Sequence, residues 1–397
     1  IANQMRQLCS APAGTTEVLQ GNIAFAAGCV RGGIHAADGY PGTPSTEVID
    51  RGLSEVQDLI TVGWSVNEAI ASAVAQGHSM AGRDCVVTMK IPGLFQAADA
   101  FTTGALYGMP RGTVVYYIAS DFIPSATQHT IDPRYLFRSC FVPVLEPRNH
   151  QEMLEAAAIA VDIGRTFQTQ VVVMPSGVLC HSEGLVRLTE PQKREPVDMT
   201  TCVRQFNALP NMARANYDRA VKERLPALTA MVERSPLNRW ERGSGKIGVI
   251  TYGICDLYVR QVRASSRPDL DILSLAFSNP LPMDLIRRFC ESIRGPVFIS
   301  EDGYRFVQEL LQQAGLKVQG KSPEDPLTEW SPTLVAQRLG FELQRARPAA
   351  APVPRPPAIC PGCPYRLFGL EVAAMRKKKL IDVVFGDIGC YALLYYL

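Results

Sequence analysis

Val86-Val87-Thr88-Met89 and Thr113-Val114-Val115-Tyr116-Tyr117-Ile118-Ala119 are short runs, β-branched and aromatic, bounded by Gly, Pro or Asp. Runs of this kind read as buried strands. Two more lie at 141–145 and 170–174, and Ala-rich windows with a helical period, such as 66–81 and 151–163, fall between strands. Strand alternating with helix predicts parallel βαβ units in an open, doubly wound α/β sheet, running from about residue 21 to about 188.

Outward from this block the pattern changes and then restarts. Residues 191–245 are charged and helical in period, with a proline-free run at 211–224, and read as a solvated helical connector. Strands are expected again at 246–252, 271–276 and 296–300, and helices at 281–292 and 304–314. They make a second, smaller α/β domain over 246–345. Residues 346–358 are dominated by Pro and Ala, which favours an extended, semi-rigid linker. A third domain is expected to open near 359 and to be cut off at 397.

Composition narrows the function classes. The 397 residues carry 40 Lys and Arg against 38 Asp and Glu, a net charge of +2, so no electrostatic footprint for nucleic acid or an acidic membrane is expected. Eleven cysteines, an odd number scattered through apolar segments, do not form the framework of a disulfide-rich secreted domain. Residues 1–16 lack a basic region followed by an apolar core, and no apolar run reaches the roughly eighteen residues a membrane span needs. The expectation is a soluble, cytoplasmic protein.

Three cysteines stand at turns. Cys360-Pro361-Gly362-Cys363 places two thiols in one tight turn, and Cys390 closes Gly386-Asp387-Ile388-Gly389-Cys390. Soft thiolate ligands in a C-x₂-C turn with a third cysteine suit an iron-sulfur cluster. Structural zinc and plain buried thiols remain open on spacing alone, and no fourth ligand is apparent.

Other candidates follow expected strand ends, where open parallel sheets place their ligands. Tyr40-Pro41-Gly42-Thr43-Pro44-Ser45 reads as a turn feeding a helix, with Pro44 at its first position and Glu47 and Asp50 near its positive end. Its backbone amides and the hydroxyls of Thr43 and Ser45 either bind an anion or simply cap the helix. Glu68 enters a helix that is otherwise small and apolar. Such a carboxylate is costly unless partnered, which suits a proton donor or acceptor; the rival reading is a first-turn acid favoured by the helix dipole. Lys90-Ile91-Pro92-Gly93 follows one strand, and Ser120, Asp121, Gln128, His129, Asp132 and Arg134 follow the next. Arg134 reads as a carboxylate clamp or as an ordinary salt-bridge partner. No pair among the five His has metal-ligand spacing, and neither a Walker A loop nor G-x-G-x-x-G is present.

Taken in order, these pieces resemble a known family. Gly39 to Ser45, Asn67-Glu68-Ala69, Thr88-Met89-Lys90, Asp132 to Arg134 with Pro143-Val144-Leu145-Glu146-Pro147, Ser235 to Arg239, Cys360 to Pro364 and Gly386 to Cys390 are similar to elements of the thiamine-diphosphate-dependent 2-oxoacid:ferredoxin oxidoreductases. Within that family they look like the large subunits that act on indolepyruvate. The resemblance implies a pyrimidine-binding domain over 1–190, a transketolase C-terminal-like domain over 246–345 and the start of a diphosphate-binding domain at 359–397. It implies thiamine diphosphate, Mg²⁺ and a [4Fe-4S] cluster as cofactors, the last held by Cys360, Cys363 and Cys390. It gives Glu68 the aminopyrimidine ring nitrogen, sets Thr43 near the reacting centre, makes Arg134 a carboxylate clamp, and places Tyr40, Pro41, Gly42, Lys90 and Gly93 at the cofactor. The implied partners are a second subunit or a second copy of the chain, ferredoxin, a 2-oxoacid and coenzyme A. The family's Mg²⁺ and diphosphate motif, a Gly-Asp-Ser or Gly-Asp-Gly turn with a downstream Asn, does not occur by 397, so a longer chain or a separate subunit is expected to supply it. A non-catalytic paralogue serving as scaffold or electron relay is the alternative.

Overall fold

Alternate residues of a strand face opposite sides of a sheet, and in this chain both sides are apolar. In a computed structural model, which describes residues 2–122, 129–198, 206–207, 209–322, 325, 330–341, 343, 358–386 and 393–394, the strands Cys85–Lys90 (β4) and Val114–Ala119 (β5) sit at the centre of a seven-stranded sheet. Val86, Val115 and Tyr117 point into one core, and Val87, Tyr116 and Ile118 into another. Helices Gly21–Arg31 and His150–Phe167 cover the first face; Glu68–Met80 and Ala98–Tyr107 cover the second. The sheet is therefore doubly wound and the fold is α/β, as the alternation predicts.

An antiparallel ribbon of Thr16–Gln20 (β1) and Glu183–Arg187 (β8) lies beside it. The other members of the large sheet are Ala36–Gly39 (β2), Thr61–Val62 (β3), Val144–Leu145 (β6), Val171–Val173 (β7) and Phe277–Asn279 (β12), in the order β12-β6-β7-β5-β4-β2-β3. All neighbours are parallel except β12, which runs antiparallel on β6 with Phe277 opposite Leu145. A five-stranded sheet holds Arg239–Glu241 (β9), Gly248–Tyr252 (β10), Asp271–Leu275 (β11), Val297–Ser300 (β13) and Val318–Gln319 (β14), ordered β14-β13-β10-β11-β9. Both sheets belong to one compact unit, Ile1–Leu343; Gln344–Leu397 form another.

Two local expectations are corrected. The strand read at 141–145 shrinks to β6, because Phe141 (φ 59°) terminates the helix Arg134–Ser139, with its N–H donating to Arg138 O and that of Val142 to Phe137 O. The turn after β2 feeds no regular α-helix. A π-helical turn, Val48–Gly52, passes directly into a 3₁₀ turn, Leu53–Val56.

Within the connector, helices Pro210–Arg219 and Leu225–Arg234 appear as expected. Its beginning is an extended stretch tied to the first sheet's periphery, with Gln192 N donating to Arg31 O and Val197 N to Gly82 O. In the second unit, the turn at 360–363 leads into the helix Pro364–Lys377. No helix among the described residues is long and apolar enough to cross a membrane.

Candidate active site

The strand order first reverses direction beside β2. From β2 the chain moves outward to β3 through the turns at 48–56, whose Val48, Leu53 and Val56 pack on the first face. It then returns to the other side of β2 through the helix Glu68–Met80, whose Ala71 and Ala75 pack on the second face. Two crossovers leaving to opposite faces open a crevice beyond the carboxyl ends of the strands between them. At that crevice stand the 40–45 turn after β2 and Lys90 to Gly93 after β4.

Glu68 enters from the side. Asn67 caps its helix, accepting the Ile70 N–H at 2.9 Å, so the acid falls in the first turn where the dipole favours a negative charge. Its side chain is only 8% exposed, and its carboxylate takes no hydrogen bond from a described residue. It lies against Gly93: a Cβ built there would come within 2.6 Å of Glu68 Cγ and 2.7 Å of Cδ. No larger residue fits at 93 with Glu68 in this position. A Cβ on Gly42 would meet the Lys90 stem at 3.3–3.7 Å, so the two lips touch. The loop before Glu68 is tied to β2, where Ser65 Oγ donates to Asp38 Oδ1 at 2.7 Å; burial raises the Asp38 carboxyl.

Tyr40, Pro41 and Thr43 are exposed on the rim, and Gly42 and Lys90 are half-buried. The anion-binding reading of the turn is corrected. Gly42 N–H is already given to Thr46 Oγ1 at 2.9 Å, while Ser45 N–H and Oγ both donate to Gly42 O at 2.9 and 2.8 Å. What the turn offers outward is the Thr43 side chain.

Arg134 is not a clamp. The guanidinium is 1% exposed, and its nitrogens are consumed: Nε by Asp132 Oδ1 at 2.9 Å, Nη2 by Asp132 Oδ2 and by Asp302 O at 2.6 Å, and Nη1 by the Tyr252 hydroxyl. Phe122, Tyr252 and Phe306 surround it at 5.4–5.6 Å. Glu146 and Glu301 each stand 3.9 Å away. Arg134 is thus the hub of a buried charged cluster joining the carboxyl ends of β5, β10 and β13, and a substrate carboxylate has no face of it to approach. One cation among three carboxylates leaves a negative surplus, and burial pushes Glu146 up to about 7. Sequence reasoning missed Glu146 as a chemical group; the local pair Asp132 and Arg134 was the available signal.

In the second unit the Cys363 N–H donates to Cys360 O at 3.1 Å, and Gly362 takes the left-handed φ of 77° that closes this turn. Cys360 is exposed and Cys363 half-buried, both as free thiols. Cys390 lies outside the described residues. The other described cysteines are free, and all but Cys290, which is half-buried, are buried.

Comparison with known proteins adds a lineage. No protein-family model matches the sequence. The chain is 29% identical over 401 residues to indolepyruvate oxidoreductase subunit IorA of Archaeoglobus fulgidus, covering 94% of this chain and 63% of that one. It is 30% identical over 414 residues to IorA of Methanothermobacter marburgensis, covering 98% and 66%. A weaker likeness, 24% over 331 residues, extends to the 2-oxoglutarate synthase subunit KorA of Archaeoglobus fulgidus, covering 77% and 94%. Among solved structures, 2-oxoglutarate:ferredoxin oxidoreductase from Magnetococcus marinus, with 2-oxoglutarate, coenzyme A and succinyl-CoA bound, superposes with a TM-score of 0.68 at 16% identity over 82% of this chain and 65% of that one. That likeness establishes a shared fold. The chain spans a little under two thirds of the length of its IorA relatives. With an α/β architecture common to these oxidoreductases and sequence similarity along nearly its whole length, the chain belongs to the family of the indolepyruvate oxidoreductase IorA subunits.

Proposed function

We propose that the chain forms the pyrimidine-binding part, with the cluster-binding turn, of a thiamine-diphosphate-dependent 2-oxoacid:ferredoxin oxidoreductase acting on an aryl pyruvate of the indolepyruvate type. The observation that supports it most is the crevice where the strand order reverses, with Glu68 set against Gly93 in a chain of the IorA family. A nearly buried carboxylate that takes no hydrogen bond from a described residue, set against a glycine whose added Cβ would press on it, fits the edge of a flat heterocycle. When bound, thiamine diphosphate supplies the nucleophilic carbon and the electron sink that decarboxylation of a 2-oxoacid needs.

The chain's own residues then divide the work. Glu68 would hold the aminopyrimidine ring nitrogen through its carboxylate and exchange a proton with it. Gly93 admits the ring edge. Tyr40 to Thr43 and Lys90 form the rim, and Thr43 would face the reacting carbon. Cys360 and Cys363 would supply two thiolates to a [4Fe-4S] cluster, with Cys390 as a third, and the cluster would supply one-electron transfer towards ferredoxin. Coenzyme A takes the acyl group. Mg²⁺ and the diphosphate are held by the rest of the assembly, in a second subunit or a longer chain, and the assembly works in the cytoplasm.

The test is Glu68→Gln in the complete enzyme. C2-proton exchange of bound thiamine diphosphate is expected to slow by about two orders of magnitude or more, with the melting temperature kept. Exchange at the wild-type rate would remove Glu68 from this role.

A further inference from the structure

Thr43 reaches the crevice on a turn that has little secondary structure of its own, so something outside the turn must fix its position. A buried polar chain does so from below. Asn22, the second residue of the helix Gly21–Arg31, is 0% exposed. Its Nδ2 donates to Pro44 O at 2.8 Å and to Glu47 Oε2 at 2.9 Å, thereby gripping the turn on the carboxyl side of Thr43 at two points. Its Oδ1 accepts from the Tyr117 hydroxyl at 2.5 Å. Tyr117, the fourth of the six residues of β5, is itself fully buried, with its hydroxyl 3.2 Å from Cys180 Sγ. The chain of contacts runs from a central, fully buried strand of the sheet, through one amide, to the rim of the site.

We propose that Asn22 is a positioning residue of the active site, which acts through Pro44 and Glu47 to hold Thr43 at the crevice. An amide suits this place for a physical reason: it must donate twice and accept once, and of the side chains of this size only Asn does both. A buried polar group is tolerated when each of its bonds is made, and a fully bonded one specifies a single geometry. The inference deepens the proposed function and rests on it for the role of Thr43; the mechanical part, that Asn22 fixes the turn, does not.

The experiment separates the two. Asn22→Asp keeps the size and the acceptor for Tyr117 but loses both donors. Val115→Ala, in the same core and on the same strand, lowers stability without touching the turn. Amide hydrogen exchange is measured in the chain, and kcat and KM for an aryl pyruvate are measured in the complete enzyme. Asn22→Asp is expected to speed exchange of residues 42–50 by about tenfold and to lower kcat by about tenfold, with KM for the 2-oxoacid within about threefold of wild type. Val115→Ala is expected to lower the melting temperature and to leave both readouts near wild type. The proposal is overturned if Asn22→Asp leaves exchange of 42–50 and kcat within about twofold of wild type, or if both variants lose activity in proportion to their melting temperatures. A wild-type assembly with no thiamine-dependent turnover would instead sink the functional reading, while the exchange measurement still decides whether Asn22 fixes the turn.

Discussion

Replacing Glu146 by glutamine is expected to make the chain more stable above neutral pH and to leave it almost unchanged in mild acid. Glu146 is 7% exposed, its Oε1 has no hydrogen-bond partner, and the nearest cation, Arg134 Nη1, stands 3.9 Å away and is already bonded to the Tyr252 hydroxyl. Asp132 and Glu301 compete for the same guanidinium, and Glu301 also accepts from Tyr252 and from the amides of Val307 and Gln308. Burial therefore prevails over Arg134 and raises the Glu146 carboxyl from an ordinary 4.5 to about 7. A folded-state pKa above the unfolded one means that the folded chain binds the extra proton. Stability is then greatest below the unfolded value, falls as the pH climbs towards 7, and stays reduced above it. A difference of that size is worth about 3 kcal/mol. Urea or thermal unfolding of both chains from about pH 5 to pH 8 should show the gap opening in favour of Glu146→Gln by an amount of that order, wherever unfolding is reversible. Asp302, pushed to about 6, steepens the slope of both chains and cancels in the comparison. Parallel curves, or a variant clearly weaker at alkaline pH, would show that the pairing with Arg134 outweighs burial and that the reasoning is wrong.

Two further outcomes are expected. Gly93→Ala forces a methyl onto the Glu68 carboxyl, so cofactor affinity in the complete enzyme should fall by about tenfold or more while the circular dichroism spectrum stays that of wild type; calorimetry with thiamine diphosphate checks it. Cys363→Ser in anaerobically prepared complete enzyme should lower cluster iron and sulfide to a small fraction of wild type, and full occupancy would refute ligation by this turn.

Much of the framework is legible in the sequence because it is local. The strands at 86–89, 113–119 and 170–174 and the helices at 66–81 and 151–163 each declare themselves by composition and period, and the structure moves their ends by only a few residues. The position of Glu68 is legible for a related reason, since a lone acid entering an apolar helix carries its own anomaly, and the structure buries it in that helix's first turn. What is not legible depends on residues far apart in the chain. Arg134 pairs locally with Asp132, yet its fate is decided by Tyr252 and Asp302, more than a hundred residues onward. The crevice itself is a product of strand order, which no run of residues encodes. Asn22 leaves only a faint trace, an amide just inside an Ala-rich helix, because its partners at Pro44, Glu47 and Tyr117 come together only on folding.

The antiparallel β12 has a mechanical consequence. By laying Phe277 to Asn279 along β6, the later half of the polypeptide supplies the outermost member of the earlier half's sheet, and Asn279 Nδ2 fastens it again to Val142 O at 2.7 Å. A seam stitched with backbone hydrogen bonds resists hinge-like gaping between the two sheets. The same stitching shields a β6 border that would otherwise invite stray strands from other molecules.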